Sequence, residues 1–174
     1  MTHSNLAFGD LMSRLAVWPM TLGTMIPMGA IGLLARLGIA GIFWRSAMTK
    51  ITLFVDVGNF SFAQFWAVLT LNWEVSPVTY TLFEYEYALP VIPPAWAAHL
   101  ALMAEIILPL LLLLGLATRL SAMAVFVMTL VIQLFVYPNL WPDHALWSAA
   151  ALYLMAKGAG VMSLDYLITR RFLP

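Results

Sequence analysis

Glu105 is the residue around which chemistry can be built, because it is the single acid inside any of the long apolar stretches that dominate this chain. An unpaired carboxylate in hydrocarbon takes up a proton rather than remain charged. Its ionised form therefore needs a cation close by. The stretch from Ile31 to Ile51, IGLLARLGIAGIFWRSAMTKI, offers Arg36, Arg45 and Lys50. Each fixed cation in hydrocarbon costs at least ~3 kcal/mol on insertion scales, so other segments must bring counter-charge, polar partners or water to meet them. At about 100° per residue, Arg36, Phe43 and Lys50 fall on nearly one helical line, and Arg45 lies roughly 140° from Lys50. Counted at ~1.5 Å per residue from the cytoplasmic ends of their spans, Arg45 and Glu105 both lie roughly 20 Å deep. Height therefore favours Arg45 over Lys50 as the partner of Glu105. Three readings of Glu105 stay open: an ion pair that fixes helix packing, a proton-carrying or ligand-binding carboxylate, and a neutral acid.

Other polar residues lie near the outer level of the same spans. Asp56, Glu84, Glu86 and Asp143 are further counter-charges for Lys50. His144 opens the last span, Trp147 lies about one turn further in, and His99 is at a similar level. Lys50, His99, Glu105, His144 and Trp147 are thus candidates to converge on one outward-facing cavity, although a histidine at a span end is more often an interfacial residue. His99 and Met103 are i, i+4 neighbours and would suit copper(I). With eleven methionines in the chain that coincidence is cheap, and no metal site is expected. Arg36 and Lys157 each lie roughly 10 Å from the cytoplasmic edge and are expected only to snorkel.

The elements that must position these groups follow from composition and punctuation. Of the 174 residues, 63% are hydrophobic and 9% charged, against ~25% charged in soluble domains, which places the chain in lipid. A net charge of zero without a basic run excludes nucleic acid as a partner. The absence of cysteine removes disulfides, dithiol redox chemistry and thiolate metal sites together. No phosphate loop, metalloprotease motif, nucleophile elbow or haem-attachment signature is present. One membrane domain is expected, an all-α integral membrane protein built as a four-transmembrane-helix bundle. Its spans are expected at 30–53, 95–118, 119–137 and 144–161.

A lead-in at 1–29, interrupted by Pro19 and Pro27, precedes them at the cytoplasmic interface. The outer insert, 54–94, has no Lys or Arg. Within it, Phe60 to Leu71 is too short to span and suits an interfacial helix. The part with Pro77, Pro90, Pro93 and Pro94 reads as an ordered loop, and Trp66, Trp73, Tyr80, Tyr85, Tyr87 and Trp96 supply an aromatic belt. The tail at 162–174 reads as a short amphipathic helix capped by Ser163. Arg14, Arg119, Arg170 and Arg171 put both termini on the cytoplasmic side.

Taken together, these residues resemble the DoxX family of small bacterial four-span membrane proteins. Arg36, Phe43 and Lys50 match its R-x6-F-x2-G-x3-K pattern, with Ser46 standing where glycine is usual. Glu105 followed by Pro109 and GLATRLSA is similar to its second helix, and WPDHALWSAALYLMAKGAGVMSLD to its last. The resemblance implies an inner-membrane protein associated with redox complexes, with a quinone as possible cofactor and a membrane or periplasmic subunit as partner. A redox-linked subunit binding quinone or a small anion in the outer half of the bundle is the first expectation. A non-catalytic scaffold for a partner protein, and a small transporter or metal-handling protein, are the alternatives.

Overall fold

The computed structural model describes Met12, residues 25–54 and residues 62–172. Most of the lead-in, with Pro19 and Arg14, and the counter-charge candidate Asp56 lie outside the described residues.

Helix α1, Met28–Met48, is apolar around most of its circumference and starts directly after Pro27, whose fixed φ suits a helix entry. It stops at Met48 rather than running on to residue 53. The next residues, Ile51 and Thr52, are β-branched and stiff, and Ile51–Leu53 forms strand β1. Its partner is β2, Trp73–Val75, antiparallel with Ile51 opposite Val75 and Leu53 opposite Trp73. This two-stranded ribbon of three residues a side is the departure, among the described residues, from the expected all-α architecture. Between the strands lies α2, Phe62–Leu69, within the segment expected to hold a short helix.

The proline-rich half of the insert is not the loop expected. Pro77 sits at the first turn of α3, Pro77–Thr81, where a missing N–H costs nothing. The helix then widens into a π-helical turn, Leu82–Tyr87, that ends on Ala88 in the left-handed region. Ser76 N–H and the Thr79 hydroxyl both donate to the carbonyl of Lys50, at 2.9 Å each. The insert is thereby fastened to the foot of β1.

Helix α4, Pro94–Leu114, begins on a proline and ends at Gly115, whose φ of +65° closes the helix without the strain a side chain would bring. Helix α5, Thr118–Val131, continues as a π-helical segment, Ile132–Val136. A 3₁₀ turn at Pro138–Leu140 leads into α6, Trp141–Lys157, and Ser163 caps α7, Leu164–Phe172, through its hydroxyl on Tyr166 N–H at 3.1 Å. Three of these helices, α1, α4 and the continuous Thr118–Val136, are long and apolar enough to cross a bilayer. The shorter α6 packs on α1 and α5.

The core of the bundle joins Ile39, Ala40 and Phe43 of α1 to Leu112, Val125 and Leu154 of the other three long helices. A second cluster, around Trp44, Ala47, Val68, Leu102 and Ile106, ties the insert onto α1 and α4. Small residues such as Ala40, Ala122 and Ala151 are fully covered at these crossings and let the helices approach closely.

Candidate functional site

Lys50 lies past the end of α1, where the chain turns at Thr49, and its side chain runs back down toward α4. There it meets Glu105, with Nζ 3.0 Å from Oε1 and 2.9 Å from Oε2. Both residues are buried, at 5% and 4% exposure. Ser46, one helical turn before Lys50, completes the couple. Its hydroxyl donates to Glu105 Oε1 at 3.1 Å and accepts from Lys50 Nζ at 2.8 Å, while its carbonyl also accepts from Lys50 at 3.3 Å. Pro109 is placed four residues after Glu105, so the Glu105 carbonyl has no helical N–H to receive.

Arg45, preferred on height, is exposed and is not the partner. The height count assumed a straight helix to residue 53. The helix stops short, and the turn lets Lys50 fold back to the depth of Ser46.

The couple forms one wall of an apolar cavity of about 630 Å³ between α1, α4, α5 and α6. Phe83 and Tyr87 of the insert close its outer side, and Leu100, Met123 and Val127 stand exposed at its rim. The rim faces outward between α4 and α5, the side that a bilayer would cover. His144 and Trp147 of α6 reach the same cavity, their rings 4.9 Å apart and edge to face, and Trp147 packs in turn on Phe43 at 5.9 Å. His144 is buried, and its Nδ1 lies 2.6 Å from Gln133 Oε1, while Gln133 Nε2 donates to the carbonyl of Pro138 at 2.9 Å. That second bond turns the Gln133 oxygen toward the ring, so Nδ1 carries the proton and Nε2 is left as an acceptor. Gln133 belongs to the π-helical segment. One residue of extra winding brings it onto His144, in keeping with the placement of such segments at binding sites.

Of the seven residues singled out in the sequence, four line this cavity: Lys50, Glu105, His144 and Trp147. His99 does not. It is exposed on α4, held by the Ala95 carbonyl at 2.7 Å and the Tyr80 hydroxyl at 3.3 Å. No cluster of three or more metal-ligating groups occurs among the described residues.

Arg36 is not a snorkelling residue. It is 2% exposed, and its guanidinium donates only to carbonyls: Nε to Leu112 at 2.7 Å, one terminal nitrogen to Leu113 at 2.8 Å, and the other to Ala159 at 3.0 Å and Met162 at 2.8 Å. The positive charge thus sits on the negative end of α4. A few residues away, the Asp165 carboxylate receives the N–H groups of Ala117 and Thr118 at 2.7 and 2.8 Å and caps the positive end of α5. Lys157, by contrast, is exposed.

Sequence reasoning passed over four participants. Ser46 carried a signal, since it lies four residues before Lys50 and hence on the same face. Gln133 was visible as the one strongly polar residue in its span. Tyr87 and Tyr137 were hidden among the aromatics. Both line the cavity and meet edge to face at 5.7 Å, and the Tyr137 hydroxyl donates to Glu86 at 2.6 Å. The bond to Glu86, aided by burial, holds the Tyr137 hydroxyl above the ordinary tyrosine range, and burial does the same for Tyr87.

No curated protein and no solved structure matches this chain. The DoxX family model matches residues 31–138, a segment that holds Arg36, Ser46, Lys50 and Glu105, and the chain belongs to the DoxX family.

Proposed function

We propose that this DoxX protein is a four-span protein of the bacterial cytoplasmic membrane that binds a quinone in its central cavity, as the membrane subunit of a redox system. In this reading α6 is the fourth span. Both termini lie in the cytoplasm, because Arg119, Arg170 and Arg171 cluster at one end of the bundle and the insert, which has no Lys or Arg, lies at the other.

The observation that carries the reading is the cavity itself. It has the volume of a small-molecule site, walls almost wholly apolar, and a few polar groups gathered at Lys50–Glu105 and His144. A ring with oxygen substituents would set its polar edge against those groups and its face beside Trp147 and Phe43. A hydrocarbon tail would leave between Leu100 and Val127 into lipid. An anionic ligand fits less well, because Glu105 already neutralises Lys50 and no second cation among the described residues lines the cavity. Without cysteine, electrons would have to come from a partner subunit.

The test is mass spectrometry of protein released gently from mild detergent, with extraction of bound lipids. A quinone at near one per chain, lost in Trp147→Ala and in the double change Lys50→Met with Glu105→Met, is the expected result. An empty cavity with a protein partner at fixed stoichiometry would overturn the reading and favour a scaffold.

A further inference from the structure

The hydrogen-bonding capacity of the cavity is lopsided, and this bears on which form of the ligand it holds. Among the described residues, most of the donors that line it are committed elsewhere. Lys50 Nζ has three protons and four acceptors within 3.3 Å, on Ser46 and Glu105. The Ser46 proton goes to Glu105. Tyr137 gives its proton to Glu86. His144 Nδ1–H is taken by Gln133. The Trp147 Nε1–H and the Tyr87 hydroxyl remain.

The acceptors are in the opposite condition. Glu105 Oε2 receives only Lys50 and has a lone pair to spare. His144 Nε2 receives nothing from the described residues, and the Tyr87 oxygen retains its acceptor capacity.

We infer that the cavity selects its ligand in the reduced, hydroxyl-bearing form, binding a hydroquinone more tightly than the corresponding quinone. The inference rests on the reading of the cavity as a quinone site. Quinone carbonyls accept hydrogen bonds and would find free donors only at Trp147 and Tyr87, with none free beside the Lys50–Glu105 couple or on His144. Hydroquinone hydroxyls donate, and would find a carboxylate on α4 and an imidazole nitrogen on α6. A hydrogen bond given to a charged acceptor in a dry site corresponds to about tenfold or more in affinity.

The experiment is equilibrium dialysis under argon of the full-length protein in mild detergent, after removal of endogenous ligand. Three probes are compared: a short-chain benzoquinone, its two-electron-reduced hydroquinone, and the dimethyl ether of that hydroquinone, which keeps the ring but has no hydroxyl proton. The hydroquinone is expected to bind about tenfold more tightly than either of the others. In His144→Phe, whose melting temperature is checked first, the ratio of hydroquinone to ether affinity is expected to fall severalfold. A quinone that binds as tightly as the hydroquinone, or an ether that shares the preference, overturns the inference and leaves the ligand reading standing. A preference untouched by His144→Phe overturns the role given to that residue. Failure of all three probes to bind overturns the ligand reading, and the inference with it.

Discussion

Arg36 and Lys50 come from the same stretch of chain and the same helical line, yet they end in opposite surroundings. Arg36 is held by four backbone carbonyls at the junction of α4 with the α6–α7 connection, and it does not line the cavity. Lys50 is held by one carboxylate and one serine on the wall of a cavity, and its partner Glu105 keeps a free lone pair. The contrast follows from side-chain chemistry. A planar guanidinium with five donors can bridge several carbonyls, whereas an ammonium is a compact point charge that is best met by a single anion. The first cation is a staple, and the second is one half of a polar site.

The comparison can be broken by mutation. Arg36→Met leaves Leu112, Leu113, Ala159 and Met162 without their donor, the first and third of them buried, and the loss of a buried partner costs about 1–3 kcal/mol each. A total on the order of 5 kcal/mol is expected, read as a failure to purify folded protein or a collapse of the melting temperature in detergent. Arg36→Lys should not rescue it, since one ammonium cannot reach all four carbonyls.

Glu105→Gln ranks next. It strands Lys50 beside the cavity and should cost about 3 kcal/mol, whereas Lys50→Met with Glu105→Met should recover most of that stability. Ligand binding should stay absent in the recovered protein. Return of both stability and binding would make this couple a staple too, and the distinction between the two cations would fall.

Gly115→Ala is smaller. The new Cβ would lie 2.5 Å from Ser163 Cβ and 3.0 Å from Arg36 Cζ, on a backbone with φ of +65°. About 2 kcal/mol is expected from crowding and strain, with the melting temperature lowered and ligand affinity unchanged, because the staple and the cavity are separate. Arg45→Gln should do least, within about 0.5 kcal/mol and with no effect on binding, because the side chain is exposed.

Much of the frame was legible from residue types. The long apolar stretches, the glycine break after α4, the serine cap of α7 and the short helix in the insert are all local signals. So was the need of Glu105 for a cation. What was not legible is where a chain turns once it leaves a helix. Counting heights along one straight rod chose Arg45, and the turn at Thr49 reversed that choice. Arg36 was misread for a related reason. Its partners are backbone carbonyls, which every residue has, so no side chain in the sequence marks them. The π-helical winding at Ile132–Val136 left no mark either, although it decides that Gln133 reaches His144.

The staple also has a place in time. Arg36 belongs to the first of the long helices among the described residues, but the carbonyls it binds lie 76, 77, 123 and 126 positions further along the chain. During synthesis the early helix must therefore wait at the membrane with its guanidinium unsatisfied. It gains its first two partners when α4 arrives, and the last two only after α6 has been laid down. A chain cut short before Ala159 would leave the early helix carrying a half-satisfied cation into lipid. The residue that secures the finished bundle is thus one whose partners are complete only when nearly the whole chain is present.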